Sequence, residues 1–305
     1  MKKKNKAIYL LFLMPFVYFA TACFVVWLVK TSGIYPSGSD TMYHVYRGDY
    51  VYNAIKSGNW YPLYDPAWYN GVEILRYWSP FPAYVMAFCQ YLAGGSQFGA
   101  YLFYIGGVCF LGACVWPFIG RGFNRPYLGA FIGLLWFFIP NNLCAIFIEG
   151  NLARSLSMIF LPVFIYSVYK YLYNHKLRYI PLMVFTFLLM ELCHLGYAGM
   201  AAIAVIIYGI VYMIQKGRKK AVLDVVISMI FGFMLLGIWL VASLRGGITS
   251  LDNSENMANF FQNLWITINP FERLTRGFEY FYFGFAALVV IVFGILFGYK
   301  KSRTG

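Results

Sequence analysis

Charge is scarce in this chain: Asp, Glu, Lys and Arg make up 11% of 305 residues, and only 11 of those residues are acidic. A soluble domain carries roughly a quarter charged residues, so a water-facing globular fold is excluded for most of the length. The six cysteines show no CxxC and no paired spacing; Cys23, Cys109, Cys114, Cys144 and Cys193 sit in apolar runs and Cys89 in a weaker one. Neither a disulfide framework nor a zinc site follows, which leaves small thiols packing between helices. There is no repeat, no low-complexity tract and no glycine loop of the phosphate-binding kind.

What is abundant is apolar (61%) and aromatic (21%). The net charge of +13 would suit nucleic acid if it formed one patch. Instead the Lys and Arg fall as short clusters between apolar runs, the pattern of membrane topology, so no nucleic-acid partner is expected. The composition predicts an all-α polytopic membrane protein, a single membrane domain over 1–305 whose first partner is the lipid bilayer.

Lys2, Lys3, Lys4 and Lys6 precede an uncharged run from Ala7 to Val29, whose 23 residues would span roughly 35 Å as a helix. A cleaved signal is the rival, since Ala20-Thr21-Ala22-Cys23 faintly resembles a lipobox, but the run is too long for a signal core. Further spans are expected at Phe98–Ile119, Tyr127–Ile148, Ser155–Tyr173, Ile180–Leu195, Ala198–Ile214, Ala221–Leu244 and Tyr280–Tyr299, giving eight crossings. Phe81–Ala93 would reach only about 20 Å and is expected to lie in the interface.

The basic clusters test this count. With Phe81–Ala93 not crossing, Arg121/Arg125, Lys176/Arg178, Lys216/Arg218/Lys219/Lys220 and Lys300/Lys301/Arg303 all share the amino-terminal side. That places both termini in the cytoplasm and puts two loops outside, 30–97 with its interfacial helices and 244–279. Nine of the eleven acids then face outward. An active site is expected on the extracytoplasmic face.

Polar chemistry gathers between Pro36 and Pro80. Asp40 and His44 are four residues apart and share a face if a helix starts near Ser39 or Asp40. A carboxylate there suits proton abstraction from an acceptor hydroxyl, with His44 orienting it, binding phosphate or holding a metal. The plainer alternative is that Asp40 caps a surface helix. Asp49 and Asp65 are weaker candidates, Asp65-Pro66 reading as turn chemistry. Glu73 and Arg76 have i,i+3 spacing and suit either an ion pair or a ligand contact. Trp60, Tyr61, Tyr64, Trp68, Tyr69, Tyr77 and Trp78 read as an interface belt, denser than anchoring needs, whose rings also suit stacking on sugars or prenyl chains.

Outside this loop, the Glu149–Arg154 turn sets an acid and a base at the outer ends of two spans. Arg154 could neutralise a lipid phosphate and Glu149 could hold a divalent cation with Asp40, or the pair could mark a helix boundary with a snorkelling arginine. Glu191 and His194, at i,i+3 within a span, are favoured as functional because an ionisable group there needs a partner or water; a mutual structural hydrogen bond is the alternative. Glu272 and Arg273 carry no assignment beyond phosphate attraction by the arginine.

Ser39-Asp40-x3-His44-x2-Arg47, Gly58-Asn59-Trp60-Tyr61-Pro62, and Tyr69-Asn70-Gly71-x-Glu73 followed by Tyr77-Trp78-Ser79-Pro80 carry a family resemblance. Together with a first span followed by a large outer loop, they resemble the GT-C superfamily of membrane glycosyltransferases. Within it they are similar to the 6-pyruvoyl-tetrahydropterin synthase-related membrane domain, most strongly from Gly38 to Pro82 and more loosely to Gly199. Pterin chemistry is not indicated.

The resemblance implies inverting transfer of a sugar from a polyprenyl-phosphate-linked donor to a glycan, lipid or protein acceptor outside the membrane. Asp40 would be the general base. Glu149 would be the second acid, with Mg or Mn as the only cofactor, and Arg76 and Arg154 would bind the donor phosphate. Glu73, Trp78, Glu191 and His194 complete the candidate substrate-binding residues. GT-C enzymes are usually longer, so a fragment, a compact member or an inactive subunit are all expectations here. The competing function is a lipid or solute transporter, for which broken spans in two corresponding halves would be the sign.

Overall fold

The computed structural model describes residues 2–245 except 37, 69 and 70, with side chains from residue 12 onward. The expected span Tyr280–Tyr299, the basic cluster after it and all but the first two residues of 244–279 lie outside the described residues, as do Tyr69, Asn70, Glu272 and Arg273. The helices are α1 (Lys2–Ser32), α2 (Thr41–Lys56), α3 (Phe81–Leu92), α4 (Gln97–Gly122), α5 (Pro126–Leu135), α6 (Pro140–Leu143), α7 (Leu152–Asn174), α8 (Tyr179–Cys193), α9 (Leu195–Lys216), α10 (Lys219–Leu235) and α11 (Gly237–Arg245). Among the described residues there is no strand, only an antiparallel bridge between Asp65 and Val72.

The protein is an all-α membrane protein. Four helices are long and apolar enough to cross a bilayer (Phe12–Ser32 of α1, α4, α7 and α9), and six spans result if each of two bent pairs counts as one. α8 is apolar but has 15 residues, about 22 Å of helix against a hydrocarbon core of about 30 Å.

The bent pairs correct the expectation of two straight spans. Pro126–Phe138 and Pro140–Ile148 meet at 41°, and Lys219–Leu235 and Gly237–Arg245 at 64°. At the first break Ile139 is extended, with φ −63° and ψ 120°, because Pro140 disfavours α geometry in the residue before it. A 3₁₀ turn (Trp136–Phe138) leads into the break and a π turn (Cys144–Ile148) follows α6. At the second, Gly237 starts the new helix, a residue that weakens helix continuity.

α7 is the shared wall of two apolar cores. Its first half packs with α1, α4 and α5 around Tyr18, Tyr104, Ile105 and Leu156; its second half packs with α8, α9 and α10 around Phe164, Leu172 and Met183. Hydroxyls tie the layers across long sequence distances: Tyr18 donates to the Ala130 carbonyl at 2.8 Å and Tyr104 to the Leu152 carbonyl at 2.9 Å. Such bonds contribute about 1 kcal/mol each in a bilayer.

Between α1 and α4, the chain builds a small layer with a core of its own. α2 lies on α3 with Val51, Ile74, Leu75, Ala83 and Ala87 buried between them. Asp65 is consumed here: it exchanges backbone bonds with Val72 at 2.8 and 2.9 Å, and its carboxylate takes the Tyr46 hydroxyl at 2.5 Å and the Ala67 amide at 2.9 Å. Asp49 likewise accepts from Gln90 at 2.6 Å. α11 grips the layer from below, with Trp239 donating to the Leu75 carbonyl at 2.7 Å and Ser243 to that of Arg76.

Candidate active site

The start of α2 and the start of α7 meet backbone to backbone, although 109 residues separate Asp40 from Glu149. The Asp40 amide donates to the Glu149 carbonyl at 3.0 Å, and the Ser39 hydroxyl donates to the same oxygen at 3.0 Å. Two glycines permit the approach. A Cβ on Gly38 would lie 2.6 Å from the Gly150 Cα, and Gly150 itself has φ +66°, in the left-handed region.

Asp40 occupies the N-cap position of α2 without making a side-chain cap bond. The plain capping alternative is therefore not what its carboxylate does; it is half-buried and its Oδ1 accepts from Ser39 at 3.3 Å. One turn on, the His44 amide donates to the Asp40 carbonyl at 3.1 Å, and the His44 side chain is buried. Burial, then the charges of Arg47 and His194, lower the His44 pKa from 6.5 to about 3, so its imidazole is neutral at physiological pH.

The opposite wall is the first turn of α7. Asn151 caps it, accepting from the Arg154 amide at 3.0 Å, and the Arg154 guanidinium pairs with Glu149, with Nη2 2.7 Å from Oε2. The other oxygen of Glu149 accepts from the Cys144 thiol at 3.3 Å, which the π turn brings into place. His194 joins from the junction of α8 and α9: its Nδ1 accepts from the Tyr197 amide at 3.0 Å and its Nε2 stands 3.4 Å from Asn151 Nδ2. It lies within electrostatic reach of Arg154, Glu149 and Asp40.

Asp40, His44, Glu149, Arg154 and His194 thus converge. Trp78 lies beside them through Tyr43, whereas Glu73, Arg76 and Glu191 are engaged elsewhere. Glu73 and Arg76 pair with each other, and Arg76 Nε donates to the Ala242 carbonyl of α11 at 2.8 Å, so this pair braces the loop. Glu191 is 1% exposed on α8, with Oε2 lacking a hydrogen bond and Gly232 of α10 opposite it. The alternative reading, a mutual Glu191–His194 bond, is not formed, because the helix ends at Cys193 and His194 turns to cap α9. Among the described residues no three His, Cys, Asp or Glu side chains group to hold a metal ion. Each Glu149 oxygen has a partner within the protein, the Arg154 guanidinium on one and the Cys144 thiol on the other.

Arg47 and Trp78 form the side wall. Arg47 is 1% exposed, donates to the carbonyls of Trp78 at 3.2 Å and Ser79 at 3.4 Å, and lies over the rings of Tyr43 at 5.4 Å and Trp78 at 5.8 Å. Trp78 is 45% exposed and meets Tyr43 edge-on at 5.0 Å, a ring surface open to a ligand. Arg47 stood in the sequence motif without a role; its place three residues after His44, on the same helical face, was the available signal.

Residues 75–305 match the 6-pyruvoyl-tetrahydropterin synthase related domain, described as a membrane protein. The chain belongs to this family. No curated protein and no solved structure matches it. The family match takes in Arg76, Trp78, Glu149, Arg154, Glu191 and His194 and begins after Asp40 and His44, so of the Gly38–Pro82 stretch only its end, with Tyr77-Trp78-Ser79-Pro80, lies within it.

Proposed function

We propose that this member of the 6-pyruvoyl-tetrahydropterin synthase related family is an inverting membrane glycosyltransferase of the GT-C kind. It moves a sugar from a polyprenyl-phosphate donor to a glycan, lipid or protein acceptor on the extracytoplasmic face of the cytoplasmic membrane. The observation that carries the reading is Asp40: a half-buried carboxylate at a helix start, not spent on capping, seated against a turn that holds a paired arginine. Asp40 takes the proton of the acceptor hydroxyl as its oxygen bonds to the anomeric carbon, and the bond from that carbon to the phosphate oxygen breaks. The departing lipid phosphate gains charge, which Arg154 is placed to offset. His44, held neutral, is a positioning residue, and Trp78 with Tyr43 offers a stacking face for a sugar or prenyl unit.

A lateral cavity supports the lipid part of the substrate. It has a volume of about 420 Å³ and is lined by Trp116, Asn142, Met158, Pro162, Tyr166 and Tyr197, among others. Met158 is one helical turn below Arg154 and Tyr197 lies three residues after His194, so the apolar cavity runs up to the polar cluster. An isoprenoid chain fits such walls.

The test is Asp40→Asn, assayed in proteoliposomes with candidate polyprenyl-phosphate sugars. Transfer should fall by about a hundredfold or more while the protein still inserts. Full activity in that variant overturns the assignment.

The two bent spans favour a second reading, transport, since broken helices line many substrate pathways. Both pairs run from the Lys170 end of the bundle toward the Asp40 end, so they are not an inverted pair. Cysteine labelling decides: a water path open from the side of Lys219 and Lys220 argues for transport.

A further inference from the structure

α7 has 23 residues, about 34 Å of helix, and the end remote from Asp40 opens into a second cavity. Its volume is about 860 Å³, within the range of small-molecule sites. The end of α7, the start of α8 and the link from α9 to α10 border it, and it is widely open to the surface. His175, Arg218, Lys219 and Lys220 line it with a single acid, Asp224.

Permanent positive charge is in excess here. The Asp224 carboxylate already accepts the Tyr171 hydroxyl at 2.6 Å, and among the described residues Arg218, Lys219 and Lys220 make no salt bridge. Arg218 Nη1 also contacts Nε2 of the His175 ring. Positive-inside topology alone needs basic residues at this end, but not around a cavity. Lys170, at the same end, is used by the fold: it donates to the Gly122 carbonyl at 2.6 Å and covers the Phe123 ring at 4.4 Å. The floor of the cavity is apolar, with Ile180 at the start of α8 and Ala221 at the start of α10.

We infer that this cavity is a binding site for a phosphate-bearing anion, and that a phospholipid headgroup of the adjoining leaflet is its fitting source. Guanidinium and ammonium groups meet the phosphate oxygens, and the apolar floor lies where the glycerol backbone and the first acyl carbons would rest. The site is independent of the glycosyl-transfer reading, being at the opposite end of α7.

Native mass spectrometry of the full chain released from detergent tests it, with dioleoyl phosphatidylglycerol, dioleoyl phosphatidylcholine and inorganic phosphate as probes. Phosphatidylglycerol should be retained over phosphatidylcholine, and the Arg218→Ala/Lys219→Ala/Lys220→Ala variant should lose about a hundredfold of that affinity. Because removing three basic residues also weakens the topology signal, Ile180→Trp serves as a second variant; it keeps every charge, narrows the cavity and should reduce retention as well. If inorganic phosphate binds with the same dependence on both variants while phosphatidylglycerol shows none, the site stands and its source is the solution. Equal retention by wild type and both variants overturns the proposal. So does loss in the triple variant with none in Ile180→Trp, which would reveal general surface attraction.

Discussion

At the Asp40 end of the bundle Arg154 is 7% exposed and bound to Glu149 at 2.7 Å, whereas at the far end Arg218, Lys219 and Lys220 are exposed and make no salt bridge among the described residues. The buried guanidinium of Arg154 is held in place by a carboxylate, and losing that partner would strand it; an exposed one is solvated wherever it points. The first end therefore stores geometry and the second stores charge. Changes at the first should register in stability and chemistry together, and changes at the second in ligand retention with little effect on folding.

Several substitutions would break or sharpen that contrast. Glu149→Gln strands the buried Arg154 and should lower unfolding stability by about 3 kcal/mol, read by thermal melts in detergent, with Arg154→Met in the same chain restoring part of it. An unchanged melting point would place the two ends on the same footing. Gly150→Ala asks a left-handed position to carry a Cβ that would lie 2.1 Å from Thr41 Oγ1, so it should cost about 2 kcal/mol and reduce transfer by displacing Asp40.

Acidification acts through His44. Its folded pKa of about 3 lies below the ordinary 6.5, so between those values the unfolded chain takes up a proton that the folded chain refuses. The contribution is fully present above pH 6.5 and is lost as pH falls toward 3, by at most about 1.4 kcal/mol per pH unit. His44→Gln should flatten that part of the pH–stability curve; an identical curve would mean His44 is not the group responsible. Smallest of all, Lys219→Gln should change the melting free energy by less than about 0.5 kcal/mol, because an exposed lysine without a carboxylate leaves nothing stranded.

Much of the fold was legible. Apolar runs without charge located α4, α7 and α9 to within a few residues, since a bilayer accepts little else. Phe81–Ala93 appeared as the short helix α3. The breaks were harder. Pro140 stood in plain view inside an expected span, yet hydropathy is blind to the extended residue it imposes, and Gly237 looks no different from glycines that α4 tolerates in mid-helix. Of the site, the Glu149–Arg154 turn and Asp40 were visible as residue types. Their joining was not, because it runs through the Glu149 carbonyl and the closeness of Gly38 to Gly150, and backbone contacts across so many residues leave no periodic trace. Arg76 and Glu73 looked equivalent to Arg154 and Glu149 by composition. Only α11 separates them, by drawing Arg76 into a brace.

The bond from the Asp40 amide to the Glu149 carbonyl also has a meaning in time. A ribosome that has delivered only α1 to α4 has made Asp40 without the surface on which it sits. The seat arrives with the turn before α7, so the backbone of Asp40 is fixed only after half the protein has been threaded into the bilayer. A nascent chain stalled earlier would carry Ser39 and Asp40 without the Glu149 carbonyl to which both donate.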